Sequence, residues 1–372
     1  MGVRTDDGGG RFRVARCPTS PRREEPVTLS SPRRVQALDV IGVMLIVMFV
    51  GWVLLVGAAT GRDPRPMASL MVLCGVTAFV ARSVTRRWNT LVPGTLLAVL
   101  MGTIVVTWPE AIHPTFGLTG YSNANGALYV VGVGMAGLLV MRSRSPGIRL
   151  AAVIAGCLLA FLAWLFAANM ASVSAVVVVA VTGWLFSARA QAPPSVLLHS
   201  VLLVALVMLA TGLAGVFYDG DGRGDGGWRL TERRLVLWSE SMEMLAAQPM
   251  SGVGPGGFAE LSSTALRDPD ARWAHNTPLQ VGAETGFPGL MLFLAILGWA
   301  FVWLARGSGR RGGALASLVL ALSAAHASID FVWHLPAVPV ALAALVGAGA
   351  SAGRSPQPER GTRSSWFRHS SE

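Results

Sequence analysis

One stretch decides the fold, residues 228–290: WRLTERRLVLWSESMEMLAAQPMSGVGPGGFAELSSTALRDPDARWAHNTPLQVGAETGFPGL. It is the longest water-compatible segment between runs that are apolar enough to lie in a bilayer. Polar and charged side chains flank a glycine-rich turn within it: Arg233, Arg234, His275, Asn276 and Glu284. We therefore expect any chemistry of this protein to take place here.

The composition of the whole chain predicts a membrane protein. The 372 residues are 52% hydrophobic and only 13% charged, with a mean hydropathy of +0.54, whereas soluble chains carry about 25% charged residues. Several runs reach the length of about 20 apolar residues that crosses ~30 Å of hydrocarbon. The runs are continuous and do not alternate, which excludes a transmembrane β-barrel. The predicted fold class is all-α, a polytopic transmembrane helical bundle.

Ten apolar runs are predicted to span the membrane. They cover residues 37–59, 66–84, 91–107, 125–141, 148–168, 171–188, 195–217, 287–306, 312–331 and 335–352. The predicted domains are a disordered cytoplasmic tail, seven spans, one large extracytoplasmic loop with an amphipathic helix, three further spans and a second disordered cytoplasmic tail. Their bounds are 1–36, 37–217, 218–286, 287–352 and 353–372.

The basic residues report on topology. All thirty are arginine, and the net charge is +10. With the N-terminal tail inside, twenty-two of the thirty lie in the two tails or beside the cytoplasmic loops, as the positive-inside rule requires. The charge is therefore explained without a nucleic-acid partner. It predicts a multi-pass protein of the cell membrane with both termini cytoplasmic and the 218–286 loop outside. The three cysteines build no disulfide framework, and neither a metal site nor a cofactor is expected.

An amphipathic helix is predicted over residues 231–247. Leu235, Trp238, Met242 and Leu245 recur at helical spacing, with Glu240 and Glu243 elsewhere on the helical wheel. Thr231 is a suitable N-cap and Pro249 a suitable stop. The apolar face is expected to pack on the bundle or to rest at the membrane interface.

The turn SGVGPGGF, residues 251–258, allows two interpretations. Its backbone N–H groups, near Gly254 and Gly256, could bind a phosphate. Alternatively, the glycines only supply the geometry of a tight turn that returns the chain to the membrane surface. It is not a dinucleotide-binding motif, because no strand precedes it and Pro255 interrupts it.

Two arginines and a histidine are the candidates for chemistry. A pair such as Arg233 and Arg234 is usually a solvated helix face, but Arg234 precedes Trp238 by four residues and shares its packing face. An arginine there could bind a lipid-linked phosphate in a bidentate manner. His275, followed by Asn276, is either structural or a base that orients an acceptor hydroxyl.

Other polar residues are expected at the same outer level of the bundle. Glu284 is more simply explained as a helix cap or an ion-pair partner of an arginine than as a catalyst. Tyr121, Asn123 and Asn125 precede the fourth span, and Asp330 and His334 flank the end of the ninth. Polar groups that converge on one face of a membrane bundle suggest a site.

At these residues the chain resembles the O-antigen ligase-like family of bacterial envelope proteins, which includes polysaccharide polymerases and O-linked oligosaccharyltransferases. Four pieces carry the resemblance. They are the Arg234-to-Trp238 spacing, GVGPGGF after Pro249, HNTPLQ at 275–280 and ETGFPG at 284–289. GYSNANG at 120–126 resembles the family's Asn-containing start of an earlier span.

The resemblance implies a membrane glycosyltransferase that transfers or polymerises glycan from a polyprenyl-diphosphate carrier at the outer face of the cytoplasmic membrane. It implies Arg234 as a diphosphate contact and His275 as the residue that acts on the acceptor hydroxyl. Arg233, Asn276, Glu284, Gly254, Gly256 and Asn125 are the expected substrate-binding residues. The partners would be the lipid-linked donor, a glycan, lipid or protein acceptor, and membrane lipid.

One departure from the family keeps other functions open. The family often carries a Ser-Arg pair near the outer end of a middle span, whereas residues 169–175 read NMASVSA. Arg233, Arg62 or Arg65 would have to substitute for that arginine. The alternatives are a non-catalytic envelope-assembly protein and a flippase or transporter of lipid-linked sugars. The shortage of charge inside the spans disfavours the transporter.

Overall fold

The computed structural model describes residues 32–108, 117–166, 169–187, 195–217, 229–268, 271–307 and 310–351. These residues form thirteen α-helices and one short 3-10 turn, Val332–His334. The helices are α1 Pro32–Thr60, α2 Arg65–Arg87, α3 Leu91–Val106, α4 Ser122–Arg142, α5 Pro146–Phe166, α6 Asn169–Ser187, α7 Ser195–Phe217, α8 Arg229–Ala247, α9 Gly257–Leu261, α10 Ser263–Arg267, α11 Thr277–Arg306, α12 Arg310–Ala327 and α13 Ala337–Gly349.

The all-helical membrane fold is confirmed. Each predicted span coincides with a helix, and seven of the described helices are long and apolar enough to cross a membrane. Two shorter apolar helices, α3 and α13, accompany them. The number of ten crossings stays a prediction. The tail predicted over 1–36 is too long by a few residues, because α1 begins at Pro32. The rest of that tail and the tail predicted over 353–372 lie outside the described residues.

Helix α4 is the central element of the bundle. Almost every residue from Ala124 to Val140 is buried, whereas most of α1 and α2 faces outward. Small residues allow this close packing: a Cβ on Gly134 would come within 2.9 Å of Val319, and one on Gly137 within 2.7 Å of Leu315. Helices in a membrane approach each other closely through such small residues.

The helices run between two ends of the bundle, here named the site end and the opposite end. At the site end, α1 finishes at Thr60, whose side chain closely approaches Gly254. At the opposite end, α1 begins near the end of α11. There Trp303 donates from Nε1 to Asp39 at 2.8 Å, and Arg82 forms an ion pair with the same carboxylate. This pairing joins α1, α2 and α11.

Helix α11 is broken by a kink at Gly286, which has φ 69° and ψ −176°. Two residues later, Pro288 has no N–H, so the carbonyl of Glu284 cannot make its helical hydrogen bond. The glycine-rich turn supplies the missing donors: Gly254 N–H donates to Glu284 O at 3.0 Å, and Val253 N–H to Ala283 O at 2.8 Å.

Two further hydrogen bonds satisfy backbone groups at the kink. Phe287 N–H donates to Pro249 O at 2.8 Å, and Trp52 in α1 donates from Nε1 to Thr285 O at 2.8 Å. An unpaired backbone group in or beside a bilayer costs several kcal/mol. The GVGPGG and ETGFPG motifs are therefore two halves of one structural unit. The predicted span 287–306 is part of α11. This helix begins at Thr277 and not near residue 287, because it continues on both sides of the kink.

The amphipathic helix is confirmed as α8, with its end at Ala247 before Pro249. Thr231 lies inside the helix and is not its N-cap. Of the predicted apolar face, Trp238 and Leu245 are buried, while Leu235 and Met242 are only half-buried. Leu237 instead joins a small core with Phe258, Ala271 and Ala274. This core holds the polar segment together above the bundle.

Glu240 lies on a contact surface and not on a solvated face. Its carboxylate accepts hydrogen bonds from the hydroxyls of Ser262, Ser263 and Thr264 and from the N–H of Thr264 at 3.1 Å. The carboxylate thereby fastens the short helix α10 to α8.

We expect Gly286→Ala to destabilise the protein. A Cβ there would lie 2.4 Å from Met250 O, and the positive φ is itself unfavourable by about 1–3 kcal/mol for a residue with a side chain. Gly298→Ala in the same helix is the matched control, because a Cβ at Gly298 meets nothing within 4 Å. Thermal unfolding in detergent should show a lower Tm for Gly286→Ala alone. Equal Tm values would contradict the strained kink.

Candidate functional site

Asp330 is the centre of a polar cluster at the site end. Its side chain is 2% exposed, 3.1 Å from Nη2 of Arg234 and 3.5 Å from Nδ1 of His275. Tyr121 donates its hydroxyl to the carboxylate at 2.9 Å, and Asn123 donates through Nδ2. Polar residues that are distant in the sequence thus meet at the site end. Asp330, which the sequence marked only as one of several such residues, joins them.

Neighbouring groups keep the carboxyl of Asp330 ionised. Burial by itself raises the pKa of this carboxyl, but the proximity and charge of His275 and the charges of Arg234 and His326 lower the pKa to about 2. A free aspartate titrates near ~3.9. Because the folded-state pKa is depressed, the stability that the ionised form contributes is complete above about pH 4 and is lost as the pH falls through 2.

Tyr121 is held in its protonated, donating form. Burial raises the pKa of its hydroxyl, and the charge of Asp330 raises it further. The ring also stacks on Phe331, with 4.3 Å between ring centroids. Tyr121 therefore fixes the carboxylate without competing with it for protons.

His275 has an unusual backbone, with φ at 52°, the one positive value at a non-glycine residue in the described part of the chain. Such strain costs about 1–3 kcal/mol and persists only where the surroundings hold it. Three contacts hold it here. Trp238 donates to His275 O at 3.3 Å, Ala274 N–H donates to Gln280 at 3.1 Å, and Asn276 caps α11 by accepting from Leu279 N–H at 3.0 Å.

The side chain of His275 points into the cluster and is 15% exposed. Its Nδ1 atom is buried and faces Asp330, and its ring lies perpendicular to that of Phe331, with 4.7 Å between the ring centroids. With Nδ1 on the side of the carboxylate, Nε2 is the ring nitrogen that remains for a ligand.

Glu284 links the histidine loop to the glycine-rich turn. Its carboxylate accepts from Gln280 Nε2 at 3.0 Å and from Gly256 N–H at 3.0 Å, and Gln280 in turn accepts from Ala274 N–H. Glu284 is buried inside α11, so it caps no helix start. This chain of hydrogen bonds transmits the position of the turn to the loop that carries His275.

Several of the residues predicted to bind substrate form hydrogen bonds within the protein. The N–H groups of Gly254 and Gly256 are bound to Glu284, which favours the structural interpretation of the turn. Asn125 accepts from both the N–H and the hydroxyl of Thr119 at 2.8 Å, and Asn276 is a helix cap. Direct contact of these residues with substrate stays a prediction.

Three other arginines of the site end are paired with carboxylates. Arg233 pairs with Asp268, Arg62 with Glu260 and Arg65 with Asp63. These three were the suggested substitutes for the family's second arginine, and each has its charge compensated. Arg234, by contrast, donates only from Nη2, and its one hydrogen-bond partner among the described residues is Asp330. Its guanidinium keeps donors for an anion, and 29% of its side chain is exposed.

Aromatic rings line the cluster beside His275. Trp273 packs on His334 at 4.4 Å and on Phe331 at 6.5 Å between ring centroids. Burial lowers the pKa of His334 to about 4, so this imidazole is neutral at physiological pH. The partly exposed rings of Trp273 and Phe331 were not singled out by the sequence analysis, because aromatic residues there equally fit a packed loop.

The fold and this cluster define a helical membrane protein with a polar site at one end of its bundle. A model of the O-antigen ligase family (Wzy_C) matches residues 114–294, a range that contains Tyr121, Arg234 and His275. These residues are similar to the O-antigen ligase-like family, whose members are typically membrane enzymes of the ligase and polymerase type. The match confirms the resemblance read from the motifs. No curated protein matches the chain.

We expect Asp330→Asn to destabilise the site end strongly. The amide would place a donor among groups that already donate to this position, and breaking a buried charged pair costs about 3–5 kcal/mol. Asp268→Asn, which breaks the more exposed pair with Arg233, should cost about 1 kcal/mol or less. Thermal unfolding of both variants at neutral pH measures the difference. Comparable losses would show that Asp330 has no special place in the cluster.

Proposed function

We propose that the protein transfers a glycan from a polyprenyl-diphosphate carrier to an acceptor hydroxyl. The observation that carries this proposal is the meeting of Arg234 and His275 on the two oxygens of one buried carboxylate, Asp330. Arginine is suited to a diphosphate and imidazole to a hydroxyl. The family match supports the same reaction class.

His275 is proposed as the general base. In the reaction, the acceptor oxygen forms a bond to the anomeric carbon while the bond from that carbon to the diphosphate oxygen breaks. The hydroxyl proton passes to Nε2 of His275, and the diphosphate leaves with the electron pair. Asp330 orients the ring through Nδ1 and stabilises the imidazolium that forms. A positioned base contributes about 10²–10⁴-fold in rate.

Arg234 is proposed to stabilise the leaving group. Negative charge accumulates on the diphosphate as the glycosidic bond breaks, and a guanidinium held beforehand stabilises it with little reorganisation. Asp330 holds Nη2 of Arg234 at 3.1 Å, which fixes the direction of the remaining donors. The same carboxylate therefore positions both the base and the cation.

The aromatic rings beside His275 are proposed to receive a sugar of the donor or acceptor. Trp273 and Phe331 are partly exposed and contiguous with the histidine. Large aromatic faces bury much apolar area, and the C–H face of a pyranose ring is the apolar part of a sugar. The polar atoms of the cluster then meet its hydroxyls.

Arg234→Lys and His275→Gln should each abolish most transfer. Lysine keeps the charge but lacks the planar fork that grips a phosphate, and glutamine cannot take up a proton at neutral pH. The measurement is transferred glycan together with lipid-linked donor in a strain that depends on this gene, at matched protein levels. Donor should accumulate as transfer falls.

Arg267→Lys and His199→Gln serve as matched controls for these changes. Both residues are exposed and lie outside the cluster, so transfer should continue. Normal transfer by Arg234→Ala and His275→Ala would refute the catalytic role and favour an assembly protein. Donor that accumulates only in the cytoplasmic leaflet would favour a flippase.

We propose that the site end faces the outside of the cytoplasmic membrane. In a background whose three cysteines are replaced, Arg267→Cys in α10 should react with an impermeant maleimide in sealed cells. Arg144→Cys, in the α4–α5 connection at the opposite end, should react only after permeabilisation. Both side chains are exposed. The reverse pattern of labelling would place the site on the cytoplasmic side.

A further inference from the structure

A cavity of about 550 Å³ lies at the opposite end of the bundle, far from the cluster around Asp330. It is shallow and lined by four residues where α2 ends: Ser83, Arg86, Arg87 and Trp88. The proposed reaction does not use any of them. The cavity combines two cationic side chains, a hydroxyl and an aromatic ring.

Among the described residues, nothing compensates the cationic charge of the cavity. Arg86 and Arg87 are exposed, and neither has a carboxylate partner within the described part of the chain. The guanidinium of Arg87 lies over the ring of Trp88, 5.1 Å from its centroid. Arg82, one turn earlier, is buried and paired with Asp39. A ligand for the cavity must therefore be an anion.

An apolar stripe leads into the cavity along α2. Val72, Val76 and Val80 recur every four residues and are each about half exposed, at 45%, 54% and 54%. Ser83 and Arg87 continue the same face of the helix. Because α2 is one of the helices suited to cross the membrane, an acyl chain lying along this stripe carries its headgroup to the two arginines.

We propose that this cavity binds the headgroup phosphate of an anionic phospholipid. The stripe distinguishes a lipid from a soluble phosphate, because a free anion gains nothing from the valines. Trp88, 52% exposed, lies at the level where aromatic side chains anchor a protein in the interface. Basic pockets beside membrane helices are known to hold anionic headgroups.

The test uses the purified full-length protein in detergent. Dioleoyl-phosphatidylglycerol, dioleoyl-phosphatidylcholine or glycerol phosphate is added, and native mass spectrometry counts the retained molecules. We expect the protein to retain more phosphatidylglycerol than phosphatidylcholine and not to bind glycerol phosphate. The double variant Arg86→Gln, Arg87→Gln should weaken phosphatidylglycerol retention by roughly thirtyfold, at about 1 kcal/mol for each arginine.

Arg144→Gln is the matched control, an exposed arginine at the same end that does not line the cavity. It should keep the preference for phosphatidylglycerol. An equal loss in Arg144→Gln would show general attraction to surface charge and overturn the proposal. Unchanged retention by the double variant, or competition by glycerol phosphate, would overturn it as well. A normal elution profile of each variant confirms that it is folded.

Discussion

The rest of the site depends on the hydrogen bonds between the glycine-rich turn and the kinked start of α11. Pro288 and Gly286 interrupt the helix where backbone groups have little access to water, so the released carbonyls need other donors. Val253 and Gly254 are those donors. A Cβ on Gly252 would come within 2.5 Å of Ala283 O, so only glycine allows this approach. The contact fixes the kinked part of α11 against the glycine-rich turn that follows α8.

Hydrogen bonds connect this unit to the loop that carries His275. Glu284 binds the turn and Gln280, and Gln280 binds the backbone beside His275. The strained φ of His275 is held by these neighbours and by Trp238 of α8. The geometry of the loop is therefore a consequence of the kink, transmitted along one face of the first turns of α11.

Asp330 completes the cluster from a different part of the chain. A buried carboxylate is costly unless it is paired, and here it is paired with a histidine, an arginine, a tyrosine and an asparagine. Its depressed pKa follows from His275 and from the charges of Arg234 and His326. The compensation works in both directions, because the carboxylate fixes the two groups to which we assign the chemistry. At the opposite end of the bundle, the buried Arg82 forms an ion pair with the partly exposed Asp39, and this pair fastens α1 to α2.

Composition and hydropathy alone determined that this is an all-helical membrane protein, located most of its long helices to within a few residues and marked residues 228–290 as its polar segment. Helices and membrane spans are encoded by residues close together in the sequence, so they can be predicted without knowing the tertiary contacts. The motifs also pointed to Arg234 and His275. Only the tertiary structure decided that Asp330 joins them, that Glu240 and Glu284 serve as structural acceptors, and that the glycine turn repairs a kink. Those facts rest on hydrogen bonds between residues 22 to 209 positions apart, and no periodicity in a chain encodes which distant groups will meet.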